Sequence, residues 1–91
     1  MDLNGKSLDA ITKDIEEGYF VLNPLTIKKL ETEHFKPLHL AIRKEMISVR
    51  GEAFPSNDQP GIRRRNGRLQ RLRQALAILE NIAKEKRIKL V

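Results

Sequence analysis

Cysteine and tryptophan are absent from this chain of 91 residues, and its aromatic residues are one tyrosine and three phenylalanines. Without cysteine, the chain can form neither a disulfide nor a thiolate metal site. No stretch approaches the roughly 20 consecutive apolar residues that a membrane-spanning helix needs. Residues 1–6 lack the positive-then-apolar pattern of a signal peptide. We therefore expect a cytoplasmic protein that does not act at a membrane.

The residue sets that common catalytic chemistries require are also missing. The serines have no nucleophile-elbow context or nearby base, and no glycine-rich phosphate loop is present. Glu31 and His34 form one Glu-x-x-His spacing, but the metal bundles that use it need a second copy, which this chain lacks. We therefore expect a protein that is not an enzyme and that needs no metal or other cofactor.

The positive charge of the chain is concentrated in its last third. Residues 62–91 contain ten Lys or Arg and two Glu, a net charge of +8, whereas residues 1–61 contain eight bases and ten acids, a net charge of −2. Cations near the start of a helix oppose its dipole by about 0.3–1 kcal/mol each. A sequence selected only for stability would not place cations there, so the cluster suggests an anionic partner. Six arginines fall within 11 residues: Arg63, Arg64, Arg65, Arg68, Arg71 and Arg73.

This arginine cluster predicts a small basic nucleic-acid-binding protein, either a regulator or an RNA-associated accessory factor. The planar guanidinium fork fits phosphate oxygens, and released counterions drive such binding for DNA and RNA alike. The cluster contains no aromatic residue, which argues against base stacking, whereas Asn66, Gln70 and Gln74 could add contacts to base edges. Two other interpretations stay open. The arginines form a solvated face, or they pair with acids of the first helix, such as Asp14, Glu16 and Glu17, or with an acidic protein.

The apolar periodicity predicts an all-α fold and a single domain over residues 1–91. The expected architecture is a small bundle of three short N-terminal helices and one long C-terminal helix. The alternative is an α+β fold in which Tyr19–Leu22 and Ile88–Val91 form a minimal strand pair. We recognise no family in this sequence.

Capping and turn residues predict where each element lies. Ser7 and Gly18 bound a first helix over residues 8–17. Asn23-Pro24 starts a second helix, which runs to about Glu33. Pro37 forces a break or a new start, because it disfavours helical angles in the residue before it. The third helix then ends at Gly51, a flexible connector covers about 51–61, and the basic helix covers about 62–86.

Leucines recur in the long helix at alternating steps of three and four residues, and isoleucines line one flank. This spacing is typical of an intramolecular core face and also of a coiled-coil seam. It supports a second hypothesis, a helical protein–protein adaptor or homodimerisation module with no nucleic-acid role, which docks on an acidic protein or on a second copy. The predicted partner or dimer surface consists of Leu69, Leu72, Leu76, Ile78, Leu79 and Ile82.

Overall fold

Four α-helices form most of the described part of the chain, which is residues 2–3, 6–27, 30–52 and 58–90 of a computed structural model. Two strands of two residues precede the helices as an antiparallel pair in which Asp2 faces Ser7. The elements in chain order are β1 (Asp2–Leu3), β2 (Lys6–Ser7), α1 (Leu8–Glu17), α2 (Pro24–Ile27), α3 (Thr32–Arg50) and α4 (Gln59–Glu85).

The fold is therefore the expected small all-α bundle. Residues 19–22 and 88–90 contain no strand, so the α+β alternative is not favoured. Val91, the last residue of that alternative, lies outside the described residues.

α1 begins and ends where the capping residues predict. The Ser7 side chain accepts a hydrogen bond from the amide of Ala10 at 3.2 Å. Gly18 follows the last helical residue with φ of 86°, a left-handed conformation that glycine adopts without steric cost. The apolar side chains of the helix, Ile11 and Ile15 among them, are buried on one face.

The second helix is shorter than predicted. The Asn23 side chain accepts hydrogen bonds from the amides of Leu25 and Thr26 at 2.9 and 3.0 Å, as a capping residue should. However, α2 ends at Ile27 after a single turn, and the prediction that it reaches Glu33 is wrong. Both Ile27 and Leu30 are buried in the core, and residues 28–29 lie outside the described residues.

α3 starts at Thr32 and runs through Pro37 without a break, so the prediction of a break at that proline is also wrong. Proline removes one backbone hydrogen bond from a helix. Phe35, Leu38 and Ile42, which bracket Pro37, are fully buried along a single helical face. Because tertiary packing supplies most of the stability of helices in proteins, this buried face outweighs the lost hydrogen bond.

α4 starts three residues earlier than predicted because Asp58 caps it. The Asp58 carboxylate accepts a hydrogen bond from the amide of Gly61 at 3.2 Å, and Pro60 lies in the first turn. The 27 residues of α4 span about 40 Å at 1.5 Å per residue, close to the 44 Å long axis of the molecule. Residues 53–57 of the predicted connector lie outside the described residues.

α3 packs antiparallel against α4. Arg65, near the start of α4, contacts the last carbonyl groups of α3, whereas Lys86, just after α4, lies 5.9 Å from the ring centre of Phe35 near the start of α3. Midway, His39 Nε2 and Glu80 Oε2 are 3.1 Å apart. α1 packs against both helices, so α1, α3 and α4 enclose one core.

Candidate functional site

Arg68 belongs to the interior of the bundle. Its Nε donates to the carboxylate of Glu16, a side chain that is fully buried. Its two terminal nitrogens donate to the carboxylate of Glu52 at 2.8 and 3.1 Å. The hydrogen bonds with Glu52, helped by those with Glu16, raise the pKa of Arg68 above its ordinary value. Because a buried carboxylate is costly without a charged partner, Arg68 serves the fold.

Arg65 and Arg71 stabilise the ends of neighbouring helices. The Nε of Arg71 donates to the backbone carbonyl of Glu16 in the last turn of α1 at 2.6 Å. Arg65 donates to the carbonyls of Val49 and Arg50 at the end of α3, at 3.2 and 2.9 Å. The last carbonyls of a helix have no partner within it and carry partial negative charge. Both arginines therefore supply hydrogen bonds and charge that α1 and α3 need.

Two carboxylates on facing helices share this charged interior. Lys13 of α1 lies 2.6 Å from an oxygen of Glu45 on α3 and 3.5 Å from the other oxygen of Glu16. Burial, together with the neighbouring Glu45 carboxylate, raises the pKa of Glu16. Burial also acts to raise the pKa of Glu45, but the hydrogen bonds from Lys13 and Glu16 and the nearby positive charges outweigh it and lower that pKa. The two carboxylates are thus shifted in opposite directions.

Arg63, Arg64 and Arg73 are the exposed members of the predicted cluster. Among the described residues, no carboxylate is paired with any of the three. They do not share one face: Arg73 follows Arg64 by nine residues, or two and a half turns, and so lies on roughly the opposite side of α4. Helical spacing places Arg64, Arg68 and Arg71 on one stripe of α4. This stripe is not a continuous exposed surface, because Arg68 and Arg71 both contact Glu16.

A different set of cations shares one side of the molecule. Lys36, Arg43 and Arg50 are exposed and recur every seven residues, which places them on one face of α3. Arg73 and Lys84 are exposed and three turns apart on α4. His39 lies one turn before Arg43 on α3, Glu80 lies two turns after Arg73 on α4, and these two side chains are in contact. The two sets of cations therefore lie beside the line along which α3 and α4 pack. We call this set the α3–α4 basic face: Lys36, Arg43, Arg50, Arg73 and Lys84.

The acidic helix α1 lies on the other side of α3. Arg43 is two residues before Glu45, roughly 200° around the helix, and Glu45 is the residue that contacts α1. α1 carries four acids and one base, and Asp9 and Glu17 are exposed. The bundle therefore has an acidic side at α1 and a basic side at the α3–α4 pair.

The predicted partner or dimer surface lies mostly inside the bundle. Leu69, Leu72 and Leu79 are buried in the core, because α1 and α3 cover this face of α4. The rest of the predicted set is half-buried and packs against the same core: Leu76, Ile78 and Ile82. The leucine spacing therefore corresponds to an intramolecular core face in this chain. Leu40 and Ile47 of α3, which lie outside the predicted set, are instead 56% and 66% exposed.

The Glu-x-x-His spacing is part of a helix start. The amide of Glu31 donates to Nδ1 of His34 at 3.1 Å, at the first turn of α3. Within the described residues, no group of three or more His, Asp or Glu side chains is placed to hold a metal ion. Within the same residues, no helix is both long enough and apolar enough to cross a bilayer.

Sequence reasoning missed the α3 cations because charge was counted over a long segment. The acids of α1 cancel the bases of α3 in the net charge of residues 1–61, although the two helices present these groups on different sides. The seven-residue spacing of Lys36, Arg43 and Arg50 was a signal that could have revealed the stripe. Comparison with known proteins adds no further constraint, since no family model, no curated protein and no solved structure matches this chain.

Proposed function

We propose that the protein binds nucleic acid, with phosphates of the backbone held by the α3–α4 basic face. The observation that carries this proposal is the grouping of five exposed cations on one side of two antiparallel helices. Two carboxylates lie beside these cations in the described residues. Glu80 is tied to His39, and Glu33 is exposed one turn before Lys36 at the start of α3. On sequence grounds alone, we place this activity in the cytoplasm.

The proposed contact residues differ from the arginine cluster as a whole. Arg73 belongs to the basic face, and Arg63 is exposed near the start of α4 and can extend it. Arg65, Arg68 and Arg71 are held by groups of the fold, so they add to the electrostatic field without reaching a ligand. Arg64 points to the other side of α4 from Arg73.

The salt dependence of binding measures how many phosphates are neutralised. If the five cations of the basic face each neutralise one phosphate of duplex DNA, the logarithm of the affinity should fall against the logarithm of salt with a slope of about −4.5. A single strand should give about −3.5. Fluorescence anisotropy titrations with labelled DNA and RNA at several salt concentrations measure this slope.

A charge reversal within the α3–α4 basic face tests whether these residues contact the phosphates. The double variant Arg43→Glu, Arg73→Glu should weaken binding sharply and reduce the slope on duplex DNA by about 1.8. Arg64→Glu is the matched control, because it reverses an exposed arginine of the same helix on the other side. Circular dichroism checks that each variant keeps its helices. Arg68 is unsuitable for this test because its replacement disturbs the core.

Two results would contradict the proposal. One is tight binding that barely responds to salt, since phosphate contacts release counterions. The other is an Arg64→Glu variant that loses as much affinity as the double variant, since that would move the contact to the other side of α4.

Exposed apolar side chains favour one second candidate, binding of an acidic protein partner by α3. Leu40 and Ile47 are seven residues apart and alternate with Lys36, Arg43 and Arg50 along the exposed face of the helix. Apolar anchors flanked by cations suit an acidic amphipathic helix. Co-purification with a stoichiometric acidic protein that the double variant Leu40→Asp, Ile47→Asp releases would support this candidate. Sedimentation of the purified protein tests separately whether the chain associates with a second copy of itself.

A further inference from the structure

The outward side of α4 carries polar side chains suited to reading base edges. Five exposed residues follow one another at alternating steps of three and four and so form one stripe along the helix. We call them the α4 outer stripe: Arg63, Asn66, Gln70, Arg73 and Ala77. We propose that this stripe enters the major groove of duplex DNA and makes binding depend on base sequence. This inference rests on the proposed nucleic-acid function and names its substrate class.

The composition of the stripe supports this role. α4 contains no carboxylate between Gln59 and Leu79, so about five turns of the helix can approach an anionic surface without repulsion. Asn and Gln side chains pair in bidentate fashion with adenine, and Arg with guanine. Ala77 is small, which permits close approach and contact with a thymine methyl group. A helix face that served only to hold phosphates would not need two amides at its centre.

The position of α4 in the bundle supports it as well. α1 and α3 cover the face of α4 that carries Leu72 and Leu79, both fully buried. Gln70 is two residues from Leu72, roughly 200° around the helix, and so points away from both neighbouring helices. The major groove of B-form DNA admits one α-helix. With α4 in the groove, Arg43 and Arg50 of α3 lie beside it, where the phosphates of one strand pass.

The chemistry of the stripe also selects among nucleic acids. The deep, narrow major groove of an RNA duplex does not admit side chains in this way. Single-strand platforms stack bases on aromatic rings, and the stripe has none. Duplex DNA is therefore the form that the stripe fits.

The experiment starts from a random duplex DNA library selected on the full chain, followed by anisotropy with the enriched duplex and a shuffled duplex of equal length. The wild-type protein should prefer the enriched duplex. Asn66→Ala and Gln70→Ala should each reduce that preference at least about fivefold, while affinity for the shuffled duplex and the salt slope stay unchanged. Alanine at these exposed helical positions preserves the fold.

Arg64→Ala is the matched control. It removes an exposed side chain of the same helix, but Arg64 lies on the other side of α4 from Arg73. This variant should keep the full preference for the enriched duplex. An equal loss in Gln70→Ala and Arg64→Ala would overturn the assignment to the stripe.

The outcomes separate this inference from the function on which it rests. Salt-dependent binding with no enriched sequence, or equal binding of DNA and RNA duplexes, would overturn groove reading and leave phosphate binding by the basic face intact. Failure to bind any nucleic acid at low salt would overturn both.

Discussion

The two sides of α4 use the same amino acid for different purposes. On the side that faces α1, Arg68 pairs with the carboxylate of Glu16 and Arg71 donates to the backbone carbonyl of Glu16, so both side chains are held within the chain. On the side away from α1, Arg73 is exposed and has no carboxylate partner among the described residues. The comparison teaches that a dense arginine cluster need not be one binding site. Part of its charge supports the fold, and only the rest is available to a ligand.

The largest expected loss of stability comes from a substitution on the side of α4 that faces α1. Arg68→Met keeps an apolar stem but leaves Glu16 buried without its charged partner. Removing one partner of a buried ion pair costs about 3–5 kcal/mol, and we expect the lower end because the Arg68 side chain is 22% exposed. Urea unfolding followed by circular dichroism measures this change. A loss below about 1 kcal/mol would mean that Glu16 finds another partner or takes up a proton at little cost.

Arg71→Met should have the next largest effect. It removes a charged hydrogen bond to the carbonyl of Glu16 at the end of α1, and such bonds contribute about 1.5–3 kcal/mol. Arg65→Met should fall in the same range, because it removes the donor to the carbonyl of Arg50, although Val49 still accepts from the amide of Glu52. The same urea titrations apply to both variants. A double variant Arg68→Met, Arg71→Met whose cost differs from the sum of the two single costs would show that these arginines act as one network.

The opposite pKa shifts of Glu16 and Glu45 allow a test of the charged interior by pH. The pKa of Glu16 is raised in the folded state, so its contribution to stability is present at low pH and is lost as pH rises from the ordinary value of 4.5 through the raised value. The pKa of Glu45 is lowered, so its contribution is present above 4.5 and is lost as pH falls through the lowered value.

Glu16→Gln and Glu45→Gln should therefore change the pH profile in opposite ways. Relative to Glu16→Gln, the wild-type protein should lose stability as pH rises above 4.5. Relative to Glu45→Gln, it should lose stability as pH falls below that value. Unfolding free energies of the three proteins across this range test the signs. Profiles that change in the same direction would mean that the two carboxylates do not divide their roles in this way.

The parts of the fold that local chemistry controls were predictable from the sequence. Ser7, Gly18 and Asn23 act within a few residues of themselves, and each contributes to the helix end that its type predicts. The path through Pro37 was not predictable, because Phe35 and Leu38 override the proline only once α1 and α4 cover them. Packing of that kind depends on residues far away in the chain.

The candidate site was predictable only in part for the same reason. Acids of the first helix were one interpretation of where the arginines pair, and Glu16 does accept from Arg68 across 52 residues of sequence. Helical spacing could place Arg64, Arg68 and Arg71 on one stripe, but it could not show that α1 would cover two of them. The basic face joins α3 to α4, and no pattern within one helix reveals which faces of two helices meet.

The smallest expected change in stability comes from substitutions of the exposed arginines of α4. Arg64→Gln and Arg73→Gln remove exposed guanidinium groups that have no carboxylate partner among the described residues, so each should change stability by no more than about 0.5 kcal/mol. Arg64→Gln should be neutral or slightly stabilising, because Arg64 lies near the start of α4, where a cation opposes the helix dipole. The urea titrations used for Arg68→Met measure both variants. A cost of about 2 kcal/mol or more for Arg73→Gln would show that Arg73 supports the fold as Arg68 does, and the distinction between the two sides of α4 would fail.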